Sequence, residues 1–203
     1  RKLNTDFMIA EAAWILSGSN DIKYPTKYMK RYDNWSDNGV IMSGAYGPAI
    51  FRQMSYITNC LLSDPESRQA VLTIWTERPQ QSLDIPCTLS LQFLIRNNKI
   101  HCIANMRSSD VFLGLPYDIF VFSMIAANLS KMLNYYSGIE YELGYLTWQA
   151  GSAHIYEKNH VVAVDCINAG YEKSPLVPDF TNVEKDLKHM LDNPNVNWVI
   201  NHE

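Results

Sequence analysis

Nothing in the chain reads as a membrane span. Even its most apolar stretch, from Val111 to Met132, is interrupted by Pro116, Asp118, Asn128 and Lys131. Nor is there an excess of positive charge. Lys and Arg number 17 against 21 Asp and Glu, a formal net charge of -4, so no basic stripe is on offer to a nucleic-acid backbone. The few cations needed for a free nucleotide remain available. Cysteine is sparse, at Cys60, Cys87, Cys102 and Cys166, without paired metal-type spacing. That pattern gives no sign of a zinc site or of a dense disulfide framework, and points to thiols in a reducing cytosol. Internal repeats and low-complexity tracts are also missing.

What is present suffices for a sizeable core. With 203 residues, 47% hydrophobic and 19% charged, the chain falls in the range of one large globular domain and is expected to be soluble. From Asn4 to Gly18 the spacing predicts a helix with Phe7, Glu11 and Trp14 on one stripe, capped by Asn4 or Thr5 and stopped by Gly18. Glu11 thereby interrupts an apolar face. Between Ser19 and Pro48 the chain is rich in Asp, Asn, Gly and aromatics and reads as an ordered loop-rich surface. A second helix is expected from Phe51 to Leu62, then a strand from Ala70 to Thr76. Asn97-Asn98 tolerates positive backbone angles, which predicts a hairpin from Leu89 to Met106. Pro116 to Leu133 is apolar nearly all round and is expected to be the central buried helix. Gly144 to Trp148 and Val161 to Asn168 read as strands, and Val183 to Leu191 as a helix in a proline-spaced tail.

Four groups of residues are candidates for chemistry, each with a structural reading beside the functional one. Cys87 follows Pro86 and precedes a strand, a restraint that suits an aimed nucleophile. An isolated cysteine also serves as a small buried hydrophobe. Arg107-Ser108 can bind phosphate through a planar guanidinium fork and a hydroxyl; equally, Arg107 can pair with Asp110. Asp118 stands in the first turn of its helix, where capping and the helix dipole already favour a carboxylate, or where it can meet a ligand. His154 and Tyr156 alternate onto one face of an extended segment, either as packing or as a pair of donors to a sugar hydroxyl.

Taken in order, these pieces resemble the thymidylate synthase and pyrimidine hydroxymethylase family. The motifs are Ala10-Glu11-Ala12-Ala13-Trp14, Gly44-Ala45-Tyr46-Gly47, Asp64-Pro65-Glu66-Ser67-Arg68, Pro86-Cys87, Arg107 through Asp118, and His154-Ile155-Tyr156. The resemblance covers about residues 3 to 160 and leaves a divergent tail from 161 to 203. It implies a single α+β catalytic domain with a mixed sheet packed against a central buried helix. By the same resemblance Cys87 is the nucleophile that adds to carbon 6 of a pyrimidine, making carbon 5 reactive towards a one-carbon unit. Glu11 would manage protons on the ring through ordered water, and Tyr46 would line the active site. Arg107 and Ser108 would hold the phosphate, while Arg68 would reach the phosphate of the neighbouring subunit in a homodimer. His154 and Tyr156 would hold the deoxyribose hydroxyl. Asp110, Tyr32 and Trp35 would face the folate co-substrate, 5,10-methylenetetrahydrofolate. The enzyme would work in the cytoplasm, that of the host if a phage encodes it, on free nucleotides rather than nucleic acid or membrane.

Some positions depart from the synthase pattern. Thr88 follows the nucleophile where histidine is usual, Asp118 replaces asparagine, and Tyr32 replaces tryptophan. Gln69 stands where a second arginine is usual. A carboxyl at position 118 suits cytosine, whose ring nitrogen accepts and whose amino group donates. The resemblance therefore narrows to phage-type deoxycytidylate hydroxymethylases, with Tyr32 admitting water, and the expected product is 5-hydroxymethyl-dCMP. Two alternatives stand beside it: a divergent thymidylate synthase methylating dUMP, and a catalytically silent nucleotide-binding homologue.

Overall fold

The computed structural model describes residues 3–77 and 81–170. Helix α1 (Thr5–Leu16) begins where the Asn4 side chain accepts the Phe7 N–H at 3.1 Å, so a short polar group satisfies a donor that the first helical turn leaves open. Two short 3-10 turns, Pro25–Lys27 and Lys30–Asn34, organise the loop-rich segment that follows. Helix α2 (Tyr46–Ser63) starts five residues before its expected apolar onset. Pro48 lies in its first turn, where a missing N–H costs nothing.

The expected hairpin is β2 (Thr88–Arg96) and β3 (Lys99–Met106), joined by Asn97 and Asn98 at φ 52° and 57°. Both turn residues are left-handed, which matches the twist of the flanking strands. Strand β1 (Val71–Thr73) pairs antiparallel with β2 on one side. A register shift between Thr88 and Ser90 places Thr88 opposite Met106; such a bulge re-aims the residues at the strand's end.

The chain then forms the short strand β4 (Ser109–Asp110) and enters helix α3 (Leu115–Ser137). Strand β5 (Glu142–Ala150) returns parallel to β3, and β6 (Ala153–His154) pairs parallel with β4. The main sheet is therefore mixed, in the order β1-β2-β3-β5. Helix α3 packs on α1, α2, β3 and β5 and buries Phe122, Ile125, Leu129 and Leu133 completely. It is the central helix the sequence predicts. Gly138, at φ 69°, ends it, a backbone geometry that glycine adopts without a side-chain clash.

One expected strand is a helix. Residues Val161 to Asn168 lie in α4 (His160–Asn168). The β-branched run suggests a strand, yet Val161, Val162, Val164 and Ile167 are all exposed and only Ala163 is buried. No sheet face selects the extended form here, and the 3-10 turn at Glu157–Asn159 leads directly into helical backbone. The helix expected from Val183 to Leu191 lies outside the described residues. Among the described residues, no helix is long and apolar enough to cross a membrane.

The start of α2 is packed against the end of α1 with no space for a side chain at Gly47. A methyl group there would stand 2.7 Å from the Ser19 carbonyl oxygen and 2.9 Å from that of Ile15. Gly47→Ala is expected to destabilise the protein by about 1–3 kcal/mol, as overpacking does. Urea unfolding at equilibrium measures it, and unchanged stability would show that the two helices separate freely.

Candidate active site

The hairpin register explains why a cysteine and an arginine twenty positions apart belong together. With Thr88 opposite Met106, the next pair outward is Cys87 and Arg107, and the Arg107 N–H donates to the Cys87 carbonyl at 2.8 Å. The Arg107 side chain then folds back over the same segment. Its Nε donates to the Pro86 carbonyl at 2.9 Å and its Nη2 to the Ile85 carbonyl at 3.0 Å. The guanidinium also lies 5.8 Å from the centre of the Trp75 ring. Among the described residues the only salt bridge is the exposed Lys99 to Glu142 pair, so an Arg107 to Asp110 pair is not formed. Arg107 holds the backbone of the Cys87 segment instead.

Asp110 spends one oxygen on its own chain. Oδ1 accepts the N–H groups of Phe112 and Leu113, both at 2.9 Å, and shapes the turn into α3. Asp118 follows in the first turn of that helix, with its N–H donating to the Gly114 carbonyl at 3.1 Å.

Asp118 meets Glu11 across a cavity of about 140 Å³ walled by α1, the 3-10 turn, α2 and α3. Trp14, Tyr32, Trp35, Tyr46 and Asp84 complete its polar and aromatic lining. That volume is below the roughly 300–1,000 Å³ of a complete small-molecule site, and suits one ring. A larger space of about 670 Å³ opens elsewhere, beside Lys23, Lys27 and Lys30. It is an open surface without a nucleophile or a buried acid, and we assign no chemistry to it.

Burial in the cavity changes the chemistry of its acids. Burial raises the Glu11 carboxyl to about 7, opposed by the hydrogen bond it accepts from the Tyr32 hydroxyl. Burial, and next the charge of Glu11, raise Asp118 to about 8. A low-polarity setting disfavours the charged form of a carboxyl, so both protonate near neutral pH. Tyr46 ionises far less readily than a free phenol, chiefly through burial. Its hydroxyl meets the Thr88 Oγ1 at 3.0 Å and accepts the Thr88 N–H at 3.3 Å. Thr88, fully buried, thus positions Tyr46 and does not itself face the cavity.

Cys87 sits beside the cavity, half-buried. Burial pushes its thiol above the ordinary value, the Arg107 charge pulls it down, and Asp118 and Asp84 push it up again. A protonated Asp118 removes one of those opposing charges. Asp84 is a site residue that the sequence did not suggest. Its Oδ2 accepts the Gly44 N–H at 2.7 Å and joins the loop before α2 to the Cys87 segment. Only the Gly44 contact across forty residues and its place in the cavity wall reveal it, since an acidic residue two positions before a proline reads as an ordinary turn.

The remaining expected residues surround this centre. Ser108 is half-buried beside Arg107. The His154 and Tyr156 rings meet edge to face at 5.1 Å, as their alternation predicts. Arg68 is exposed, just before β1, with its carbonyl accepting from Gln92 Nε2 at 2.9 Å. Tyr32 is 5% exposed and packs against Phe7, Trp14 and Trp35, whereas Trp35 is 37% exposed.

A family model described as Thymidylate synthase matches residues 1–184 of this chain. Thymidylate synthases from three strains of Francisella tularensis subsp. holarctica are 26% identical over 202 residues, spanning 87% of this chain and 69% of theirs. Among solved structures, thymidylate synthase from T4 phage aligns with a TM-score of 0.72 at 24% identity, covering 100% of this chain and 80% of that one. At that identity the likeness concerns the fold.

Two outcomes follow from the electrostatics. Arg107→Gln is expected to slow alkylation of Cys87 by iodoacetamide at neutral pH severalfold, since a charge favouring the thiolate is lost. Peptide mass spectrometry reads this, with the other cysteines as internal controls, and an unchanged rate would remove Arg107 from the thiol's environment. The two raised carboxyls bind more protons folded than unfolded, so their contribution to stability is complete below their ordinary values of 4.5 and 3.8 and is lost as the pH rises to about 8. Asp118→Asn is therefore expected to flatten the fall in unfolding free energy between about pH 5 and pH 8; a slope equal to the parent's would place Asp118 in water.

Proposed function

The chain belongs to the thymidylate synthase family, and from that premise we propose that it converts dCMP to 5-hydroxymethyl-dCMP. The family's one-carbon transfer to a pyrimidine makes it a transferase, with 5,10-methylenetetrahydrofolate as co-substrate. The observation that carries the substrate assignment is the Asp118 carboxyl buried in the cavity opposite Glu11, where burial raises it to about 8 and favours its protonated form.

When sulfur adds to carbon 6 of cytosine, electron density moves over carbon 5 and onto ring nitrogen 3. An acid beside that nitrogen neutralises the charge as it develops. Asp118 transfers its proton there, while an amide at the same place has none to give. Cys87 passes its proton to water and bonds carbon 6 as the thiolate, with Arg107 holding its backbone and favouring the thiolate. Carbon 5 becomes the nucleophile towards the one-carbon unit. Glu11, poised near neutrality, receives the proton that leaves carbon 5; the bond from the transferred carbon to the folate nitrogen would then break and water would supply the hydroxyl, and Asp118 recovers its proton when the sulfur is expelled.

Arg107 and Ser108 would hold the phosphate, and His154 with Tyr156 the deoxyribose hydroxyl. Asp110 and Trp35 would hold the folate, which when bound supplies a one-carbon unit and, in methylation only, a hydride as well. Arg68, whose guanidinium has no ion pair among the described residues, would reach the phosphate of a second subunit. Methylation of dUMP is the second reading, favoured by the names of the similar proteins.

Incubation of each nucleotide with methylenetetrahydrofolate separates the two. Hydroxymethyl-dCMP with tetrahydrofolate is expected; a methylated uracil nucleotide with dihydrofolate would establish the second reading. Cys87→Ala is expected to abolish either product. Asp118→Asn is expected to move the dCMP to dUMP preference in kcat/KM by about tenfold or more towards dUMP, and an unmoved ratio would remove Asp118 from substrate choice.

A further inference from the structure

Glu11 and Asp118 face one another across a single cavity, and only one of them needs a proton for the reaction above. Something must decide which. The groups facing the pair are Tyr32 from the 3-10 turn, Tyr46 from α2, Asp84 from the segment before β2, and Cys87 beside it. Tyr46 is engaged with Thr88 and Asp84 with Gly44. Tyr32 alone of these has its hydroxyl on one of the two acids, Oε1 of Glu11.

Tyr32 is also held so that it can do little else. Its ring lies 5.7 Å from those of Phe7 and Trp14 and 5.4 Å from that of Trp35, each at a steep angle. Edge-to-face packing on Trp14 and Trp35, with Phe7 tilted against the third side, fixes the direction of the hydroxyl. The ring is buried, so the aromatic surface open to a co-substrate at this end of the cavity belongs to Trp35.

We infer that Tyr32 is a positioning residue that assigns acid and base: its hydroxyl, donated to Glu11, keeps the shared proton of the buried pair on Asp118. This rests on the reading of Asp118 as the acid for ring nitrogen 3. A donated hydrogen bond stabilises the ionised form of its acceptor, so Glu11 is the carboxylate. The ionised Glu11 in turn discourages ionisation of Asp118 across the cavity. Without the Tyr32 hydroxyl, Glu11 competes for the proton, Asp118 becomes a carboxylate beside Cys87, and both the acid and the thiolate are impaired. Both carboxyls are raised by burial in the same cavity, so a hydrogen bond donated to one of them biases which of the two holds the proton.

Tyr32→Phe removes the hydroxyl and keeps the ring. Two measurements without folate test the inference. In the protein alone, carboxyl carbon-13 resonances give the ionisation order: Glu11 before Asp118 in the parent as pH rises, and the reverse in Tyr32→Phe. In the second, dCMP tritiated at carbon 5 releases tritium to water as sulfur adds to carbon 6, carbon 5 gains a proton and loses the label, and sulfur departs. Tyr32→Phe is expected to lower the neutral rate about tenfold, the scale of one hydrogen bond to a charged group, and to shift the acid limb of the pH profile upward. A merely structural role would lower the rate without moving that limb.

An unaltered order of ionisation, or a parent in which Asp118 ionises first, would overturn the inference whatever the substrate. The parent's order remains decisive should Tyr32→Phe fail to fold. The expected order with no tritium released by the parent would instead overturn the dCMP reading and leave the role of Tyr32 standing.

Discussion

The hold that Arg107 keeps on the backbone of Ile85, Pro86 and Cys87 is the constraint from which the candidate site follows. Three N–H groups of one residue meet three consecutive carbonyls, so the segment before β2 cannot drift from the end of β3. Hydrogen bonds from a cation are the stronger kind, and a planar fork offers them in fixed directions. The hairpin turn and its bulge set the register, the register sets the arginine, and the arginine sets the thiol. A lysine would supply the charge but not the geometry.

Around that fixed point the protein assembles acids in a setting that resists their ionisation. Glu11 comes from α1, Asp118 from α3 and Asp84 from the loop before β2. Carboxyls withdrawn from water cost stability at high pH, and such perturbed groups gather where chemistry is done. The aromatic residues have different tasks. Tyr46 is tied to Thr88, Tyr32 to Glu11, and Trp35 remains partly exposed at the cavity. The substitution of tyrosine for tryptophan at position 32 thus supplies a hydroxyl where an indole has none. What reads in the sequence as a change in the wall is, in the fold, a hydrogen bond to an acid.

The structure also explains why nearby motif residues do not all act alike. Arg107, Asp110 and Asp118 fall within twelve residues, yet one holds the backbone of the Cys87 segment, one shapes a turn and one lines the cavity. Thr88, next to Cys87, faces inward because successive residues of a strand point to opposite sides. The bulge separates it from Ser90 and leaves Cys87 free to face the other way.

Local signals determined much of this by themselves. The cap at Asn4, the Asn97-Asn98 turn, the all-round apolar stretch after Pro116 and the ordered motifs around Cys87 were legible, because periodicity, turn chemistry and motif order are written within a few residues. The segment from Val161 to Asn168 was misread, since β-branched residues alone do not supply a sheet edge to join. Whether Arg107 meets Asp110 or the Cys87 segment, that the Tyr32 hydroxyl meets Glu11, and that Asp84 lines the cavity were decided only in the tertiary structure. Each depends on a partner twenty or more residues away and on how far water is excluded between them, and no local pattern carries either quantity.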